Sequence, residues 1–247
     1  MSALEVRGLT HSYGASPVLR SVDFSAAAGE VVAIVGPSGA GKTTLFRCLT
    51  RLVHADAGQV LLFDTDLQHV EGKALREARR DLGLVFQSFN LVRRLSALQN
   101  VLVGRLADVP AWRVLLRRFP AQDEALAAAC LDQVGLLEYA HTRADRLSGG
   151  QQQRVAIARA LASRARVVLA DEPVASLDPV SAAAVLAALR SLATDHGRSV
   201  VCSLHQVDLV SGFADRVVGL RAGRVVLDVP ADRFDPATAT ALYSRTG

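Results

Sequence analysis

The spacing of apolar residues changes along the chain, and each change marks a different kind of element. Leu4-Glu5-Val6-Arg7 and Val22-Asp23-Phe24-Ser25 alternate apolar with polar, the period of a half-buried strand. Short strands are expected there, with turns at Tyr13-Gly14 and Ala28-Gly29-Glu30. Val31-Val32-Ala33-Ile34-Val35 is a continuous apolar run short enough for a buried strand. A helix is expected from Thr44 to about Leu52, a strand over 58–63 and a charged helix over 73–80. Leu82-Gly83-Leu84-Val85-Phe86 reads as another buried strand, ending at Gln87.

Between 88 and 146 the spacing becomes helical: Ala97 to Leu106, Ala111 to Arg118 and Asp123 to Val134, punctuated by Pro110 and Pro120. No strand signal occurs there, so an all-helical insertion inside an α/β domain is expected, with Trp112 packed in it. Strands are then expected over 166–170 and 199–204, and helices over 149–163 and 181–195. Val217 to Leu220 and Arg224 to Leu227 predict a hairpin around Ala222-Gly223. The tail from Pro230 holds a short helical piece.

Composition narrows the class. With 247 residues the chain is one large domain, or a domain with a subdomain. Its 50% apolar and 5% aromatic content suits an α/β core of Ala, Leu and Val. The net charge of +4 comes almost wholly from scattered arginines that form no arm or tail, so nucleic-acid binding is not expected. Cys48, Cys130 and Cys202 are far apart, which argues against a disulfide framework or zinc site and for a reducing compartment. The N-terminus lacks a signal peptide's apolar core, and no apolar run approaches the ~20 residues that cross a bilayer. A cytoplasmic protein is expected, held at a membrane by another chain if it works there.

Chemistry enters at Gly36-Pro37-Ser38-Gly39-Ala40-Gly41-Lys42-Thr43, which fits the phosphate-loop pattern G-x-x-x-x-G-K-[ST] between a strand and a helix. Glycines let backbone N–H groups turn inward around phosphate oxygens, and the helix start adds its unpaired N–H groups and dipole. Lys42 is placed to neutralise β- and γ-phosphates and the Thr43 hydroxyl to ligate Mg²⁺. A second apolar run, 166–170, ends in Asp171 and Glu172. Alone, that is an ordinary acidic strand end. Beside a phosphate loop, Asp171 would face Mg²⁺ and Glu172 would take a proton from the attacking water. Leu147-Ser148-Gly149-Gly150-Gln151 opens a helix with Ser148 as N-cap. This is either a capped helix and nothing more, or a second anion-seeking helix start that completes a nucleotide site in another copy of the chain.

Taken together, Gly36 to Thr43, Leu147 to Gln151 and Val167 to Glu172 resemble the ATP-binding-cassette ATPases in order and spacing, over nearly the whole chain. The resemblance implies an α/β fold: a P-loop NTPase core of the ABC ATPase type, with an antiparallel β subdomain and a helical subdomain insertion. Residues 1–247 would form one domain, with 1–87 and 147–229 as the core, 88–146 as the helical subdomain and 230–247 as a tail. It also implies roles. Gly36, Pro37, Ser38, Gly39, Ala40, Gly41, Lys42, Thr43 and Thr44 would hold ATP, with Tyr13 stacked on adenine. Thr43, Gln87 and Asp171 would ligate Mg²⁺. Glu172, His205 and Gln87 would be catalytic, His205 as the switch histidine at the γ-phosphate. Ser148, Gly149, Gly150, Gln151 and, in the loop Ser176-Leu177-Asp178, Asp178 would act across a homodimer.

A finer likeness covers 87–96, 172–179, 204–208 and 219–224, which resemble the subgroup that drives phosphonate import. It implies two permease subunits, an extracytoplasmic phosphonate-binding protein and a post at the cytoplasmic face of the inner membrane. Related importers of phosphite, phosphate or polar amino acids remain alternatives, as do, more remotely, non-transport cassette ATPases. Two departures stand out: Ser203 replaces an expected asparagine, and 62–66 lacks the usual glycine. Neither is expected to touch catalysis.

Overall fold

The computed structural model describes residues 2–86, 90–110, 112–113, 119–163, 165–175 and 177–243. Its strands form two sheets. β1 (Ser2–Tyr13), β2 (Ser16–Ala27), β4 (Ala57–Leu62) and β5 (Thr65–Asp66) make an antiparallel sheet in the order β2-β1-β4-β5. β3 (Val31–Val35), β6 (Leu82–Phe86), β7 (Val167–Asp171), β8 (Ser199–Leu204), β9 (Arg216–Arg221) and β10 (Arg224–Pro230) make the second, in the order β10-β9-β3-β8-β7-β6. Within it the pairs are parallel except β9 with β10, the expected hairpin.

The second sheet is buried on both faces, as continuous apolar runs require. Val31, Ala33 and Val35 of β3 point into one core, with Val168 and Ala170 of β7. Val32 and Ile34 point into the other, with Val167 and Leu169. The first core is closed by helices Ala97–Leu102, Ala121–Gln133, Gly149–Ala162 and Pro179–Thr194, the second by helix Lys42–Leu49 and the antiparallel sheet.

Two expectations are corrected. Instead of short strands, the N-terminal region forms two strands of 12 residues each. Their register shifts between Val6 and Leu9, at Gly8, and again between Leu9 and His11, opposite Ser21; both Gly8 and Ser21 take φ of +56°. Such bulges interrupt the period of two, so one long strand reads as separate pieces. Trp112 does not pack the insertion: it is 59% exposed, with the Arg113 guanidinium 5.2 Å from its ring centre. Phe63 takes the left-handed φ (+52°) that a glycine in the 62–66 turn would adopt without strain, and the Arg166 guanidinium lies 3.5 Å above its ring.

Among the described residues of 90–146, helices and turns are joined by one isolated bridge, Ser96 to Arg143. A buried cation ties this region to the core. Arg105, 7% exposed, is paired with Asp108 and Asp123 and also donates to the Ala162 carbonyl at 3.2 Å. Removing one partner would strand a charge away from water, so these contacts hold the layers in one geometry. The expected helix over 111–118 lies mostly outside the described residues.

Candidate functional site

Three parallel strands deliver the candidate residues to one edge of the sheet. β3 and β8 pair up to Val35 and Leu204, and β8 and β7 up to Cys202 and Ala170. The glycine loop, Glu172 and His205 therefore emerge side by side at the carboxyl ends of the strands, where open α/β sheets bind ligands. Residues 38–44, Glu172 and His205 line one cavity of about 520 Å³. Tyr13 and 148–151 do not line it.

Within the loop, Gly41 has φ +104° and is the N-cap of helix Lys42–Leu49, which no side chain caps. A side chain there would be strained and would crowd Leu19 and the Val18 carbonyl at 3.1 Å. The helix start thus faces the cavity with its first turn open. Lys42, 4% exposed, donates to the Gly36 carbonyl at 2.7 Å and the Pro37 carbonyl at 3.3 Å, and its Nζ is 3.4 Å from His205 Nδ1. Burial lowers its pKa, while the nearby carboxylates of Glu172 and Asp171 pull the other way.

The two carboxylates are held differently. Burial raises the pKa of Asp171, and a hydrogen bond from Ser203 opposes that shift. Ser203 Oγ donates to Asp171 Oδ1 at 2.8 Å and accepts from the Glu172 N–H at 2.7 Å. Ser203, expected to stand apart from catalysis, is a fully buried hydroxyl that touches both acidic residues. It lies one step past the last β7–β8 pair, and so replaces a ladder bond where the strands separate. The restraint matters because Glu172 has a left-handed φ of +48°, costly for a residue with a Cβ. The Glu172 carboxylate is paired with His205 Nε2.

The second helix start is built otherwise. Ser148 Oγ accepts from the Gln151 N–H at 3.2 Å, and Gln151 Oε1 accepts from the Ser148 N–H at 2.9 Å, closing a capping box on helix Gly149–Ala162. Gly150 is required by close packing. A Cβ there would meet Ser181 Oγ at 2.7 Å and Ser181 Cβ at 2.8 Å. Ser181 belongs to helix Pro179–Thr194, whose N-cap Asp178 accepts from the Ser181 N–H at 3.0 Å. Those bonds lower the Asp178 pKa. Gly150 and Asp178, expected to act on the same partner, are thus neighbours through one serine.

Tyr13, 46% exposed, meets the edge of His11 at a centroid distance of 4.8 Å. His11 is buried and braces that ring, a contact for which the sequence carries no motif. Gln87 and Ser176 lie outside the described residues.

Comparison with known proteins agrees with these arrangements. The ABC transporter family matches residues 19–175. A hypophosphite import ATP-binding protein of Stutzerimonas stutzeri is 50% identical over 241 residues, covering 98% of this chain and 71% of that one. A phosphonates import ATP-binding protein of Frankia casuarinae is 47% identical over 247 residues, covering 100% and 98%. A solved ATP-binding cassette in a dimeric post-hydrolysis state bound to ADP and Pi superposes with a TM-score of 0.81 at 31% identity, covering 92% of this chain and 98% of that one. With the glycine loop, the acidic strand end and the LSGGQ helix on one P-loop fold, this chain belongs to the ABC transporter ATPase family.

Proposed function

We propose that this ATPase energises bacterial import of phosphonates through partner permease chains and never touches the transported molecule. The observation that supports hydrolysis most directly is the convergence of the open helix start, Glu172 and His205 on one cavity. The import names of the relatives support the substrate class. Hypophosphite is the second reading, favoured by the relative at 50% identity.

In this reading Lys42 leaves the Gly36 and Pro37 carbonyls for β- and γ-phosphate oxygens of ATP, joined by the N–H groups of 38–44. Tyr13 offers its ring to adenine. The Thr43 hydroxyl and Asp171 fit Mg²⁺: they are hard oxygen donors, and Ser203 engages Oδ1 of Asp171, leaving Oδ2 for the ion. Among the described residues no cluster of three or more His, Cys, Asp or Glu could hold a metal. A small protein share of that kind suits an ion that keeps water and phosphate ligands. Bound there, Mg²⁺ supplies neutralisation of phosphate charge. Glu172 takes the proton of the attacking water on its carboxylate, and Gln87 orients that water. His205 exchanges its contact with Glu172 for one with the γ-phosphate.

Nothing from 148–151 lines the cavity, which supports completion of the site by a second copy. Ser148, Gly149, Gly150, Gln151 and Asp178 of that copy would cover the outer side of the γ-phosphate, in a head-to-tail dimer with two-fold symmetry. A cleft of about 490 Å³ between β6 and residues 103–108, edged by Arg76, Arg80 and Arg159, suits a docking segment of the permease. Among the described residues no helix is long and apolar enough to cross a membrane. The import ATP-binding names of the relatives support a place at the cytoplasmic face, attached to the permease. An extracytoplasmic binding protein would deliver the substrate.

The test is growth on a single phosphorus source. A strain lacking this gene, with no redundant importer, is expected to fail on a phosphonate and grow on phosphate. Normal growth on several phosphonates, with failure on hypophosphite, would transfer the assignment to the second reading.

A further inference from the structure

The adjacent parallel strands β3 and β8 stay paired from Val31 and Val200 to Val35 and Leu204. Continued by one step, that register sets Gly36 opposite His205. There the chain turns into the glycine loop on one side and the loop carrying His205 on the other. Backbone groups at such a parting need other partners. The hydroxyl of Tyr243 supplies them: it accepts from the Gly36 N–H at 3.2 Å and donates to the His205 carbonyl at 3.3 Å.

Tyr243 ends helix Pro236–Tyr243, far from Gly36 in sequence. The helix is seated independently of that hydroxyl. Ala239 and Leu242 are buried, Asp235 accepts from the Thr238 N–H at 2.7 Å, and Arg221 donates to the Ala241 carbonyl at 3.2 Å. Phenylalanine would fill the same half-buried space, so packing alone does not call for an oxygen between a donor and an acceptor. Burial raises the pKa of the phenol, which keeps its proton available for the His205 carbonyl at neutral pH.

We propose that Tyr243 is a positioning residue: its hydroxyl staples the root of the phosphate loop to the root of the loop bearing His205. The inference rests on the nucleotide-site reading and gives the C-terminal helix a part in it. Phosphate binding by Lys42 and the helix start does not use this hydroxyl, so affinity should survive its loss. The placement of His205 against the γ-phosphate does depend on it, so turnover should not survive intact.

Tyr243→Phe in the full chain tests this through two separate measurements. The first is the NMR hydrogen-exchange rate of the Gly36 amide without nucleotide, expected to rise about ten-fold as one hydrogen bond is lost. The second is steady-state ATP hydrolysis, in which kcat is expected to fall about five-fold while KM and ADP affinity stay within about two-fold. Tm should change by less than about 2 °C, and Tyr243→Leu should reproduce both effects. Unchanged Gly36 exchange or unchanged kcat in Tyr243→Phe would overturn the proposal. Because exchange is read without nucleotide, it decides the staple on its own, whereas failure of the wild-type chain to bind ADP would instead sink the nucleotide-site reading.

Discussion

Helix Lys42–Leu49 and helix Gly149–Ala162 both begin in glycine-rich sequence, yet their first turns are opposites. The first has a left-handed glycine at its N-cap and no capping side chain, so its N–H groups face a cavity. The second is closed on itself by Ser148 and Gln151. A third helix, Ala97–Leu102, carries the same box, with Ser96 and Gln99 at 3.2 and 3.0 Å, and no phosphate motif surrounds it. A capped start is therefore not a phosphate site in itself. The open start is ready for an anion, whereas in the proposed shared site Ser148 would have to share or exchange its bonds to meet a nucleotide held by another copy.

Removing the cation at the open start should have the largest effect. Lys42→Ala is expected to lower ATP hydrolysis about 10³-fold, the scale for losing a charge aimed at the transition state. Because Lys42 also ties down the Gly36 and Pro37 carbonyls, the empty loop should loosen as well. A normal hydrolysis rate in the purified variant would break the assignment of this helix start.

Next in size is the closed start. Glu172→Gln keeps the side-chain shape but loses the base, so hydrolysis should fall at least about 10²-fold while ATP still binds. Light scattering with Mg-ATP should then detect a dimer. Adding Ser148→Arg places a bulky cation at the second helix start and should return the protein to monomer with nucleotide bound. A double variant that dimerises equally well would refute the shared site.

A smaller effect is expected at Ser203. Ser203→Ala removes two hydrogen bonds to the acidic pair and should lower kcat about ten-fold. Ser203→Thr, which keeps the hydroxyl, should retain most activity. Equal rates for the alanine and threonine variants would reduce Ser203 to a packing residue.

The finest comparison sets the two capping boxes against each other. Ser96→Ala and Ser148→Ala should each cost about 1 kcal/mol of stability by denaturant unfolding. In the Glu172→Gln background, Ser148→Ala alone should also weaken ATP-dependent dimerisation. Equal dimerisation of both variants would make the two boxes equivalent.

What the sequence discloses follows from the range of the interactions involved. Val31-Val32-Ala33-Ile34-Val35 and Ser199 to Leu204 announce buried parallel strands because both faces must be apolar, and the glycine loop between strand and helix announces its chemistry by spacing. The cap at Ser148 is legible for the same reason: its partner is three residues away. Ser203 is not, since its value depends on β8 lying beside β7, and Asp171 is 32 residues distant. Trp112 is misread because helical spacing alone does not say which face a neighbour covers. The strands around Gly8 and Ser21 are cut short on paper by bulges that alter φ at single residues.

The contact of Gly150 with Ser181 has a genetic consequence. With no room for a Cβ between the two helices, the start of one and the N-cap region of the other behave as a single locus. A larger residue at 150 would displace Ser148 and Asp178 together, and its compensation belongs at position 181, where glycine would remove both clashing atoms. Substitutions at these two positions are therefore expected to be energetically coupled, and a larger residue at 150 should be tolerated better with glycine at 181.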